Sequence, residues 1–319
     1  KVFNSMKLAF VFPGQGSQSI GMLTGLAAHF PAVTETFSEA SDSLGFDLWN
    51  MVSEGSKETL NQTINTQPAM LAAGVACWRV WQQQGGAAPS VMAGHSLGEY
   101  SALVCAGALH FEDAIKLVAE RGRLMQEAVP VGQGAMAAIL GLEDEQVRSV
   151  CNSAADGGVV EAVNFNAPGQ VVIAGSTDAV ERATALAKEA GAKRALPLPV
   201  SVPSHSSLMR EAAERFAEAM TPITINPPEI PVINNVDVSA EIEPDSVRGS
   251  LIRQLYNPVR WVETVQEMKS AGVDTLIECG PGKVLAGLNK RIDRQMKAAP
   301  LFDPASLEAA IALTRQEEE

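Results

Sequence analysis

Between Pro89 and Ala108 a short apolar strand runs directly into a helix, and the turn joining them is Gly94-His95-Ser96-Leu97-Gly98. Val91 and Met92 read as the end of a buried strand, and residues 99–108, rich in Ala, Leu and Val, as the helix that follows. In a G-x-S-x-G element the serine sits exposed on a sharp strand-to-helix turn, with glycines where a Cβ would strike neighbouring backbone. The helix then aims its first N–H groups at the serine, where an oxyanion would develop. Such a turn calls for an α/β architecture with a parallel sheet, of α/β-hydrolase-like type, and it makes Ser96 the candidate nucleophile.

The flanking sequence supplies the sheet. Residues 8–12 form a compact apolar strand that enters the loop Pro13-Gly14-Gln15-Gly16-Ser17-Gln18. That loop lacks the third glycine and the lysine of a phosphate cradle, but the carboxyl end of a first strand is a normal place for active-site backbone. Helical patterns follow at 32–44, 67–83 and 111–128. The character then changes: strand 135–140, helix 143–154, strands 159–166 and 170–175, helix 177–190, strand 193–198. This β-α-β-β-α-β order is the ferredoxin-like signature. Pro130-Val131-Gly132 on one side and Pro197 and Pro199 on the other punctuate its boundaries. The expected organisation is therefore a large domain over 6–130 and 200–319 that carries an inserted small ferredoxin-like domain over 131–199. In the second part of the large domain the pattern predicts a helix at 207–220, a strand at 232–236, helices at 251–256 and 258–271, and a strand at 275–279. The tail from Ala298 reads as a loosely held helix, and Lys1 to Ser5 as a remnant ahead of a native start at Met6.

At 319 residues the chain can bury one large core plus a smaller inserted one, and 46% apolar with 19% charged residues excludes disorder. A net charge of -13 argues against nucleic-acid binding, and any anionic partner would need a local basic patch. Lys188, Lys193, Arg194, Lys290 and Arg291 are the candidates for that patch, against the plainer reading of ordinary surface charges. No apolar run is long enough to span a membrane and no signal-peptide pattern is present. The four cysteines, Cys77, Cys105, Cys151 and Cys279, form no C-x-x-C pair and read as buried thiols of a reducing compartment, with the cytoplasm as the expected location.

A serine hydroxyl needs a base to accept its proton. Of the four histidines, His29 ends a helical stretch, His110 sits near a helix start, and His95 lies inside the turn and is expected to bond locally. His205, in the proline-punctuated loop Val202-Pro203-Ser204-His205-Ser206, is the better candidate by elimination. No acidic residue stands in an obvious triad context, so a backbone or amide oxygen could orient the imidazole; Glu99 is explained by the favourable field in the first turn of its own helix. Arg121 is balanced between a solvated helix face with i,i+4 partners and a guanidinium fork for a substrate carboxylate.

Taken together, residues 10–18, Gln67-Pro68-Ala69, Gly94 to Glu99, Arg121 with Met125-Gln126, Asn164-Phe165-Asn166 with Pro168-Gly169-Gln170, Pro203-Ser204-His205 and Glu278-Cys279-Gly280-Pro281-Gly282 resemble the malonyl-CoA:acyl carrier protein transacylases of type II bacterial fatty acid synthesis. The match runs from about Met6 to Arg291, in order and with compatible spacing. The resemblance implies ping-pong transfer of a malonyl group from malonyl-CoA to the phosphopantetheine thiol of acyl carrier protein. It implies that Ser96 is acylated, His205 is general base and acid, and the backbone N–H groups of Gln15 and Leu97 form the oxyanion hole. It further implies that Arg121 holds the malonyl carboxylate, that Gln67, Met125 and Ser204 contact the substrate, and that the Gln254 backbone carbonyl orients the histidine. No metal or redox cofactor is expected, and the protein is expected to act as a monomer. In related synthase domains a bulky residue before the histidine accompanies malonyl and a serine accompanies methylmalonyl, so Ser204 leaves a methylmalonyl-accepting enzyme as an alternative. A serine esterase or thioesterase on a related core shares Ser96 and His205; Arg121 and the inserted domain favour transfer from a carboxylated donor. A non-catalytic carrier-binding module is disfavoured by the intact nucleophile and base, and a domain of a larger synthase by the expected start at Met6.

Overall fold

The computed structural model describes residues 7–315; Lys1 to Ser5 and the terminal glutamates lie outside the described residues. Among the described residues the nine strands are β1 Leu8–Phe12, β2 Val91–Gly94, β3 Gly134–Leu140, β4 Val160–Ala167, β5 Gln170–Ser176, β6 Arg194–Pro197, β7 Val232–Ile233, β8 Thr275–Cys279 and β9 Lys297–Leu301. They form a five-stranded sheet of order β7-β2-β1-β8-β9 and a four-stranded sheet of order β4-β5-β3-β6. Every pair in the larger sheet is parallel, and every pair in the smaller is antiparallel. The fold is thus mixed α/β, with a large parallel unit and a small antiparallel one.

A central parallel strand is buried on both faces, which is why β1 reads as an unbroken apolar run. On one face Phe10 meets Trp78 and Trp81 edge-on, each at 5.2 Å between ring centroids, from the helix Thr63–Gln83. On the other, Ala9 and Val11 share a core with Trp261 and Val265 of the helix Trp261–Ser270. The small sheet has its own core, in which Ile139 and Ile173 meet Val147 and Val180 of the helices Asp144–Ala154 and Thr177–Glu189. The two units are stitched together where the Phe165 N–H donates to the Val259 carbonyl at 3.0 Å and the Val259 N–H to the Val163 carbonyl at 2.8 Å.

Several stretches depart from the sequence expectation: the helix expected at 251–256 runs from Pro244 to Gln254, and Leu48–Glu54 and Val284–Ile292 are further helices. The tail is not a loose helix: Lys297–Leu301 pairs in parallel with β8, Leu301 is fully buried, and the helix Pro304–Arg315 then buries Leu307 and Ala310. Pro300 is tolerated because β9 is the sheet's edge, where a missing N–H costs no ladder bond. The strand expected at 232–236 ends at Ile233, which releases Asn234 and Asn235 to bond elsewhere. Among the described residues no helix is long and apolar enough to cross a membrane.

Candidate active site

The site forms where β1, β2 and β7 end. Ser96 follows β2 directly and holds a left-handed backbone, φ 51°. Both flanking glycines are required. A Cβ on Gly94 would lie 1.8 Å from the Gly98 carbonyl carbon, and one on Gly98 would lie 2.0 Å from the Phe12 carbonyl oxygen. Asn235, just past β7, clamps the turn: its Oδ1 accepts the Ser96 N–H at 2.8 Å and its Nδ2 donates to the Gly94 carbonyl at 2.7 Å.

His205 is also left-handed, φ 65°, so two of the five non-glycine residues with positive φ among the described residues face each other here. Strain of that kind persists where surrounding structure holds it, and it concentrates at functional sites. Its Nδ1 lies 2.7 Å from the Gln254 carbonyl and its Nε2 lies 2.7 Å from Ser96 Oγ. A carbonyl can only accept, so Nδ1 carries the proton and Nε2 presents its lone pair to the serine hydroxyl. Burial and, next, the Arg121 cation push the His205 pKa down to about 3, partly offset by the bond to Gln254. The imidazole is therefore neutral, the form a base requires.

Arg121 is 1% exposed. Its helix, Phe111–Glu127, approaches the helix Thr63–Gln83 closely because residue 122 is glycine; a Cβ there would lie 2.8 Å from the Thr63 carbonyl oxygen. The guanidinium donates to Gln67 Oε1 and Gln254 Oε1, each at 2.9 Å, and reaches Ser96 Oγ at 3.4 Å. It lies 5.3 Å over the Tyr100 ring, and its Nε is buried without a hydrogen-bond partner among the described residues. The exposed-face reading of Arg121 is thereby set aside. No carboxylate stands in ion-pair contact with this buried cation among the described residues, and its hydrogen bonds to Gln67 and Gln254 go to neutral amides.

Gln15, Gln67, Ser96, Leu97, Arg121, Met125, Ser204 and His205 line one cavity of about 110 Å³. Met136, Asn164 and Leu198 of the small unit, with Val200 just after it, close the cavity. Neither the Gln15 nor the Leu97 N–H donates to an acceptor among the described residues. Gln254 stands behind the cavity, joining its main chain to His205 and its side chain to Arg121. His95 also borders this cavity and, contrary to the expectation, does not bond locally: its Nε2 lies 2.7 Å from Asn166 Oδ1 of the small unit. Of the five cations named above, Lys193, Arg194 and Arg291 surround a surface hollow where the units meet, and Arg291 is tied to Gln170 and the Pro168 carbonyl.

Sequence reasoning missed two members. Asn235 lies in a loop with no motif spacing, and only the pairing of β7 with β2 brings it under Ser96. Glu99 is 2% exposed and does more than sit in its helix's field: its Oε2 accepts from the Gln254 Nε2 at 2.8 Å and from the Asn235 N–H at 3.0 Å.

A family model described as the acyl transferase domain matches residues 9–303. The malonyl CoA-acyl carrier protein transacylase of Escherichia coli (strain K12) is 59% identical over 96% of this chain and 99% of its own. A crystal structure of an acyl carrier protein S-malonyltransferase from Vibrio cholerae superposes with a TM-score of 0.93 at 62% identity, covering 95% of this chain and 99% of that one. A malonyl-transacylase in complex with its type II PKS acyl-carrier protein gives a TM-score of 0.95 at 58% identity, covering 96% and 99%. With the serine turn, its histidine and the buried arginine already in place, these likenesses assign the chain to the acyl transferase family, as an acyltransferase of the malonyl CoA-acyl carrier protein transacylase type.

Proposed function

We propose that this enzyme carries a malonyl group from malonyl-CoA to the phosphopantetheine thiol of acyl carrier protein, through an ester on Ser96. Ser96 Oγ attacks the thioester carbonyl while His205 Nε2 takes its proton. The oxyanion meets the free N–H groups of Gln15 and Leu97, which are worth most in a site that excludes water. Collapse expels coenzyme A, which leaves with the proton from His205. In the second half the carrier thiol gives its proton to His205 and attacks the ester, and the serine oxygen takes the proton back as it leaves. Serine, imidazole and backbone supply each step, so the scheme draws on no metal or redox group. The Gln254 carbonyl stands where a triad carboxylate would and fixes the imidazole tautomer without adding charge.

One observation carries the malonyl assignment: a buried guanidinium 3.4 Å from the nucleophile, already bonded to two amides and, among the described residues, to no carboxylate. An acyl donor with a carboxylate supplies the missing partner. Ser204, small and on the cavity wall, supports a second reading in which α-methylmalonyl is also accepted. The four unpaired thiols suit a reducing compartment, which supports the cytoplasm. Steady-state transfer with both substrates varied tests the scheme. Parallel double-reciprocal lines are expected; intersecting lines would mean direct transfer in a ternary complex.

A further inference from the structure

Glu99 and Arg121 are both buried, and a single amide separates them. Gln254 Nε2 donates to the Glu99 carboxylate at 2.8 Å, and Gln254 Oε1 accepts from Arg121 Nη2 at 2.9 Å. The amide has only one workable orientation. Its Nε2 also faces the Ser96 carbonyl at 3.1 Å and Asn235 Oδ1 at 3.2 Å, both acceptors, whereas among the described residues its oxygen meets one donor, the guanidinium. Neither charge makes a direct ion pair among the described residues, so each is the other's opposite charge across one hydrogen-bonded chain.

We propose that Glu99 tunes malonyl selectivity from behind the site: it is the standing counter-charge of Arg121, and a malonyl carboxylate arriving on Arg121 draws a solvent proton onto Glu99. This rests on the reading that Arg121 receives the malonyl carboxylate. A carboxylate on the guanidinium and a second one behind it across a single amide repel each other when water is excluded, and protonating the inner one relieves that. Glu99 is placed to respond, since burial lifts its carboxyl to about 7 against the opposing pull of its Asn235 and Gln254 bonds and of Arg121. The other groups around it hold their charge near neutrality. Asp237, beyond β7, is kept ionised by Arg253; Tyr100 on the same helix is pushed up by burial; His205 is held at about 3. By linkage, a site that binds malonyl better with Glu99 protonated must lose malonyl affinity as pH rises through the Glu99 range.

The test is the malonyl-CoA over acetyl-CoA ratio of Ser96 acylation rates between pH 6 and 9; acetyl carries the same coenzyme without the carboxylate. In the parent enzyme the ratio should fall about threefold to tenfold, the size of a half- to one-unit pKa shift. In Glu99→Gln it should be flat and high. Both donors at Glu99 converge on one oxygen, so the glutamine carbonyl keeps both bonds and only the charge is lost. A flat ratio in the parent, or the same fall in Glu99→Gln, overturns the proposal; if that variant does not fold, the parent profile alone decides. Arg121→Ala separates the two levels. If it abolishes malonyl preference while the parent ratio is pH-independent, only the Glu99 proposal fails; if it leaves the preference intact, the Arg121 reading fails first.

Discussion

Asn235→Ala probes how the nucleophile is held. The substitution removes the acceptor of the Ser96 N–H and the donor to the Gly94 carbonyl, bonds of 2.8 and 2.7 Å beneath the turn. Each buried backbone group left without a partner costs roughly 1–3 kcal/mol, so the expected loss of stability is about 2–4 kcal/mol with partial relaxation. The effect on chemistry is separate. Ser96 holds φ 51°, a conformation of order 1 kcal/mol or more above the usual one for a non-glycine residue, and the Asn235 bond helps keep it there. Released from the clamp, Oγ moves off the 2.7 Å contact with His205, and a misplacement of about 1 Å costs on the order of 10²-fold. Urea unfolding reads the first quantity, and the rapid-quench burst of acylation by malonyl-CoA reads the second. Loss of stability with a burst rate within a few-fold of the parent would refute the clamp, because the serine would then be held by the glycines and helix alone.

Other consequences are as direct. Arg121→Ala should lower malonyl transfer by at least about tenfold to a hundredfold while acetyl transfer loses little, because hydrogen bonds to a charged group contribute roughly 1.5–3 kcal/mol; competition between the two donors measures the ratio. His205→Ala should slow both half-reactions by about 10²–10⁴-fold, seen in separate single-turnover measurements of acylation and deacylation. With acetyl-CoA, acylation at pH 5 should keep most of its pH 7 rate, since burial and Arg121 both disfavour the imidazolium and hold its pKa near 3, not near 6.5; a half-maximal rate near pH 6.5 contradicts this. Gly98→Ala, whose Cβ would lie 2.0 Å from a main-chain oxygen, should cost more than about 3 kcal/mol in thermal unfolding and abolish acylation.

The parts of this protein that were legible in its sequence are those whose meaning is local. The serine turn declares itself because glycine is needed at both Gly94 and Gly98, and the small unit because strand and helix patterns alternate within 131–199. His205 emerged by elimination, Arg121 stood evenly between a surface role and a carboxylate fork until the resemblance was weighed, and the Gln254 carbonyl came only through that resemblance, since no spacing rule links a backbone oxygen to a histidine 49 residues away. Asn235 and Glu99 were not legible as site members. Asn235 meets Ser96 across 139 positions, through a two-residue strand too short to carry a period. Glu99 sits where a helix-dipole explanation already sufficed, so nothing in the sequence asked for a second one. The C-terminal strand was hidden by composition: Lys297-Ala298-Ala299-Pro300-Leu301 has no β-branched residue and contains a proline, and only the open edge beside β8 makes it a strand.

The proposed transfer requires that the malonyl group pause on Ser96. Incubation with malonyl-CoA in the absence of acceptor, followed by intact-mass and peptide measurement, shows whether it does. The expected result is one added malonyl group on the peptide that contains Ser96, none on Ser96→Ala, and its discharge when holo acyl carrier protein is supplied. Label on a cysteine, or formation of malonyl-carrier by a protein that never acquires the adduct, would contradict it.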